Sequence, residues 1–124
     1  MGIHYESKLI VGFELDSDLM KKWLDKNNID RDCYQIEDNL IDLFPEMIED
    51  DLKIYIVCCI PYYDAGYYEY YLSFVNGSSV VKEINQIDTK LLNLAKKVYF
   101  EIIGEELECK DVSDIPVFSV LDVN

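Results

Sequence analysis

The chain has 124 residues, half of them hydrophobic, so it is sized for one domain with a real core, and wholesale disorder is excluded. Its formal net charge is -14, from 25 acids against 11 bases, and Arg31 is the only arginine. Such a chain repels nucleic acid and anionic membranes, lacks the bidentate phosphate clamp that arginines provide, and attracts basic partners.

The elements read in order as follows. Residues 8–15 form a strand with Leu9, Val11, Phe13 and Leu15 on one face. Gly12, on the other face, marks a close approach by a helix. Asp16, Ser17 and Asp18 offer caps to a helix carrying Leu19, Met20, Trp23 and Leu24, which Asn27-Asn28 ends. A second helix lies near 33–44 with Ile36, Leu40, Leu43 and Phe44 as its stripe, stopped by Pro45. Residues 46–51 are a polar connector or a last helical turn.

Residues 53–60 are apolar on both faces, which predicts a central strand. A partner strand over 67–75 puts Tyr68, Tyr70, Leu72 and Phe74 together. Asn76-Gly77 is a hairpin signal leading to a short strand at 80–84. Asp88 caps the best helix in the chain, with Leu91, Leu94, Ala95, Val98 and Ile102 on one stripe and Gly104 as its C-terminal cap. A last strand runs over 117–123. The order predicts an α+β domain over 1–124. It has an antiparallel sheet of four to five strands and two to three helices on one face, ferredoxin-like or related in its β-α-β-β-α-β order.

The start of the chain lacks the charged and apolar regions of a secretory signal, and Glu6 weakens a myristoylation match. No apolar run approaches the roughly 20 residues that span a bilayer. The expected setting is therefore a reducing cytoplasm, with Cys33, Cys58, Cys59 and Cys109 as free thiols. No Cys-x-x-Cys pair exists and His4 is the only histidine, so no zinc site is expected. Asp30, Asp32 and Glu49-Asp50-Asp51 are dense in oxygens but lack the glycine and distal glutamate of an EF-hand loop. No cofactor or metal is implied.

The acids are concentrated. Residues 30–51 hold nine against Arg31, and residues 101–114 hold six against Lys110. If the two segments meet, they form one strongly negative surface, whose core would be Glu37, Asp38, Asp42, Glu46, Glu49, Asp50 and Asp51 with Glu105, Glu106 and Glu108. Asp38, Asp42, Glu46 and Asp50 recur every four residues, about 6 Å along a helix, against one charge per roughly 1.7 Å of duplex axis. Mimicry of nucleic acid thus needs several rows of acids.

Residues 54–81 hold seven of the ten tyrosines and no lysine or arginine. Tyr67 and Tyr71 share a face with Glu69, which predicts a wet face, and Tyr62 and Tyr63 fall at the turn. Exposed tyrosines at Tyr62, Tyr63, Tyr67 and Tyr71 would serve a partner or a homodimer; base stacking would require nearby cations that are absent. No nucleophile stands beside a base and no phosphate loop exists, so an enzyme is not expected.

The leading expectation is a small acidic, non-enzymatic binding protein that occupies a basic, nucleic-acid-binding surface of another protein. Its sharpest form is a phage- or virus-encoded inhibitor of a host defence or nucleic-acid-handling system such as CRISPR or restriction. Neither direct nucleic-acid nor membrane binding is expected. The alternative is an assembly domain that self-associates through the tyrosine hairpin.

Overall fold

The computed structural model describes residues 5–61, 68–76 and 84–123. Strand β1 spans Tyr5–Leu15, helix α1 Ser17–Asn27 and helix α2 Cys33–Leu43. Strand β2 spans Tyr55–Cys59, β3 Glu69–Ser73, helix α3 Thr89–Ile103 and strand β4 Val117–Val123. Short 3-10 turns lie at Pro45–Met47 and Val112–Asp114. The fold is α+β, as the pattern of elements predicts. It carries one helix more than a β-α-β-β-α-β order, because α2 follows α1 directly.

Local chemistry sets the helix ends. Asp16 Oδ1 accepts the N–H groups of Asp18 and Leu19, both at 3.0 Å, and Asn28 closes α1 in the left-handed region at φ 57°. Asp32 accepts from Tyr34 N–H at 2.9 Å to start α2, and Pro45 follows its end. Asp88 accepts from Leu91 N–H at 2.9 Å to start α3. Gly104, at φ 82°, lets the chain turn away while its own N–H bonds the Phe100 carbonyl at 2.8 Å.

The four strands form an antiparallel sheet in the order β2-β3-β1-β4. Strands β1 and β2 therefore point the same way with β3 between them, the interleaving of a split β-α-β pair. Helices α1, α2 and α3 pack on one face. Met20, Trp23 and Leu24 of α1, Ile36 and Leu40 of α2, and Leu92, Ala95, Val98 and Ile102 of α3 join Val11, Phe13, Leu15, Ile56, Tyr70 and Leu72 in one core. The opposite face holds a second, smaller cluster of Ile10, Cys59 and Tyr71, flanked by Val57, Phe118 and Val120.

Strand β1 changes partner along its length. Residues Gly12–Leu15 pair with β3, and Tyr5–Val11 pair with β4. At the changeover Val11 N–H donates to the buried Ser73 hydroxyl at 3.3 Å, and Gly12 N–H donates to the Pro116 carbonyl at 3.1 Å. A Cβ at Gly12 would lie 2.0 Å from the Leu72 carbonyl oxygen. The glycine thus permits a crossing of backbones, and the neighbour it admits is strand β3 rather than the helix expected from the sequence.

The sheet curls enough for its two outer strands to meet at one end. Val123 N–H donates to the Ile60 carbonyl at 2.7 Å, and Ile60 N–H donates to the buried Asp122 carboxylate at 2.8 Å. Lys8 Nζ sits 3.1 Å from the same carboxylate and neutralises it. The small cluster lies inside this curl.

Strand β2 is an edge strand, which corrects the expected central position. Its apolar faces have two causes: the helical core covers one, and the curl of the sheet covers the other. Its free edge is covered by α2, whose Glu37 accepts Ile56 N–H at 3.3 Å. Cys33, at the start of α2, is paired as a disulfide with Cys58 of β2, with a Cα–Cα distance of 6.4 Å. The expectation of four free thiols is thereby corrected, since a separation of 25 residues leaves no local spacing signal. Cys59 and Cys109 are free and buried. Of the strand expected at 80–84 only Ile84 lies within the described residues, and there the chain is helical rather than extended.

Candidate partner-binding surface

The two acidic segments come together on the helical side. Phe44, from the first segment, lines a hollow of about 500 Å³ with Phe100, Glu101, Glu106 and Leu107. Beside it runs a groove of about 1570 Å³ between residues 45–53 and the first turns of α3, rimmed by Glu46, Glu49, Asp50, Asp51 and Asp88. Lys97 borders both. The acids of the first segment thus rim the groove and Glu101 and Glu106 of the second line the hollow beside it, with Lys96 and Lys97 between the two groups.

Asp38, Asp42, Glu46, Glu49, Asp50, Asp51, Glu105, Glu106 and Glu108 are all exposed. Glu49 pairs with Lys53, and that hydrogen bond holds its carboxyl below the usual glutamate range. As a fully exposed pair it contributes little to stability. Lys53, Lys90 and Lys97 also face the groove, so its acidic rim is interrupted by cations.

Glu37 does not belong to this surface. It is only 8% exposed, turned inward on α2 toward β2. Burial pushes its pKa up to about 7, the Ile56 N–H opposes that shift, and Asp38 adds to it. Its position one residue after Ile36 puts it at the margin of the helix's apolar stripe, where the need to cover an edge strand draws it in.

The tyrosine surface is corrected at Tyr71. Tyr71 is buried in the curl, edge-on to Phe118 at 5.7 Å between ring centroids, with its hydroxyl donating to Glu69. The face predicted to be wet is closed by the approach of β4, which alternation within β3 cannot show. Tyr62, Tyr63 and Tyr67 lie outside the described residues. Tyr68 stacks on Tyr70 and carries the guanidinium of Arg31 5.4 Å from its ring centroid, so the single arginine is held by an aromatic face.

Sequence reasoning missed apolar groups among the acids. Tyr34, Ile48 and Phe100 are exposed on or beside the helical side, and so is Leu43, which corrects its expected place on the apolar stripe of α2. Phe100 lies off the α3 stripe, two residues past the buried Val98, and that offset is the signal that could have found it. Together the surface offers carboxylates for cations and apolar area for the stems of lysine or arginine side chains.

Among the described residues no group of three or more His, Cys, Asp or Glu side chains is arranged to hold a metal ion. Asp32, in the expected Asp30-x-Asp32 pair, is engaged as the cap of α2. The Cys59 thiol is pushed up to about 11 by burial, which keeps it protonated and inert. No described helix is long and apolar enough to cross a membrane. Compared with protein-family models, with curated proteins and with solved structures, the chain matches none of them.

Proposed function

We propose that this protein is a small acidic binding domain, without catalytic activity, whose helical side occupies a basic, nucleic-acid-binding surface of another protein. The observation that supports this reading is the placement of two carboxylate groups, Glu46, Glu49, Asp50 and Asp51 on the groove and Glu101 and Glu106 on the neighbouring hollow, on either side of Lys97 and beside the exposed Ile48 and Phe100. Attraction between rows of carboxylates and a basic cleft speeds encounter, and the apolar groups supply the contact that a cation-rich site needs to release water. In its sharpest form the partner is a host nucleic-acid-handling protein and the domain is a phage- or virus-encoded inhibitor that stands in for the phosphates. The proposed setting is the cytoplasm, where the reducing conditions would open the Cys33–Cys58 link.

The test is capture of a partner from the native source at low salt, followed by affinity measurements on the purified pair. Binding should weaken at least tenfold between low and moderate salt, because surface charges are screened beyond about 8–10 Å. Replacing Asp38, Asp42, Glu46, Asp50 and Asp51 by Asn or Gln should abolish it. An affinity indifferent to both salt and these changes would sink the idea. Measurements are made with and without reductant, because the Cys33–Cys58 link ties the helix bearing Asp38 and Asp42 to β2.

A further inference from the structure

Strand β4 is the outer strand opposite β2, and among the described residues it pairs with β1 alone until its last two residues reach Ile60. The direction of its backbone groups follows from two bonds. The Pro116 carbonyl points to β1, where it accepts Gly12 N–H, while Val123 N–H points away from β1 to Ile60. Alternation along an antiparallel strand then aims the N–H and C=O groups of Val117, Ser119 and Leu121 outward. The same residues are exposed in their side chains: Val117 is 61% and Leu121 48% exposed, and Leu9, cross-strand from Ser119, is 36% exposed. The helical layer does not reach this strip. An outward row of backbone donors and acceptors beside an apolar patch fits an extended strand.

We infer that β4 is the seam of a symmetric dimer, in which β4 of a second copy pairs antiparallel with it about a two-fold axis at Ser119. That register is self-complementary. Val117 faces Leu121 of the second copy, Leu121 faces its Val117, and the outward backbone groups of all three residues meet their counterparts. The apolar side chains flanking Ser119 then cover one another.

Charge selects a second copy as the occupant. Residues 115–121 carry no ionisable group in a chain of net charge -14. The one acid of β4, Asp122, is already paired with Lys8, and in this register it falls opposite Pro116 rather than another acid. An identical acidic molecule can therefore approach along β4, whereas a basic partner finds no carboxylate there to recognise. Pairing through β4 also leaves the acidic helical side uncovered in both copies.

The experiment is sedimentation equilibrium on the full chain from low micromolar to near-millimolar concentration, at low and at moderate salt. The expected result is a concentration-dependent shift from 14.5 kDa toward twice that mass, strengthened by salt because the remaining acids repel across the dimer. Leu121→Lys, at an exposed site, should leave the circular dichroism spectrum unchanged and hold the protein at monomer mass. Ser119→Cys should cross-link as a dimer under copper-catalysed air oxidation, since facing residues in such a pair lie about 5.5 Å apart, within disulfide reach. Ser113→Cys, on the exposed turn before β4, should not. A monomer at the highest concentration overturns the inference. So does a dimer that Leu121→Lys leaves intact, or one that Ser119→Cys fails to cross-link.

Discussion

The helical side and the β4 edge are opposite answers to one problem, how a chain of net charge -14 presents surface. The helical side gathers acids from two distant segments and mixes them with exposed Phe100, Leu43 and Ile48. The β4 edge is uncharged from Ile115 to Leu121 and offers backbone groups beside Val117 and Leu121. The difference teaches that one domain can respond to salt in two directions. Screening weakens attraction between the acids and a cationic surface, and the same screening relieves repulsion between two acidic copies. Charge sets the range of approach on the first surface; backbone geometry sets the register on the second.

The hardest blow to both surfaces together is expected at Gly12. Gly12→Ala puts a Cβ 2.0 Å from the Leu72 carbonyl, where β1 passes from β3 to β4, and the obstacle is backbone that cannot swing aside. A loss on the order of 4 kcal/mol or more is expected, large enough to unfold a domain of this size. Chemical denaturation reads it directly. A near-native midpoint would show that the helical layer and the β4 half of the sheet do not depend on one rigid crossing.

Glu37 comes next, and it bears on the helical side alone. An unfolded glutamate titrates near 4.5, whereas the buried one titrates near 7. Between those values the folded chain keeps a proton that the unfolded chain has lost. Stability from this residue is therefore complete below about pH 4.5 and falls as pH rises through 7, by about 3 kcal/mol once the shift is converted. Glu37→Gln retains an oxygen for Ile56 N–H and removes the charge. Its stability should vary less between about pH 5.5 and pH 8.5 than that of the parent, and it should exceed the parent at the upper end. Parallel urea curves for the two proteins at both pH values would refute the buried titration.

The smallest effects on stability should come from the variants that separate the two surfaces. Leu121→Lys and the Asn/Gln set at Asp38, Asp42, Glu46, Asp50 and Asp51 all change exposed positions, where about 0.5 kcal/mol in either direction is usual. Crossing them is the sharp comparison. Leu121→Lys should change mass and leave salt-sensitive partner binding intact, while the acid-depleted variant should do the reverse and dimerise with less dependence on salt. If either variant moves both readouts, the surfaces are coupled and the contrast between them fails.

Much of the fold was legible because its signals are local. Asp16, Asp32, Asp88, Asn28, Pro45 and Gly104 each act within a few residues, and the helix limits follow from them. The acid-rich segments were legible too. Tyr71 and Glu37 misled for a shared reason. Periodicity within an element tells which residues share a face, but not whether a distant element covers that face. Strand β4 closes over Tyr71, and strand β2 draws Glu37 inward to cap its open edge.

The sequence by itself determined the α+β class, the helix ends, the total charge and the two stretches of chain that hold most of it, because each depends on neighbours along the backbone. Only the tertiary structure decided that β2 lies at an edge, that Cys33 meets Cys58, that Phe44 adjoins Glu101, Glu106 and Leu107, and that the helices stop short of β4. Those outcomes depend on how far the sheet curls and how much of it three helices can cover. Both are properties of packing between elements far apart in the chain.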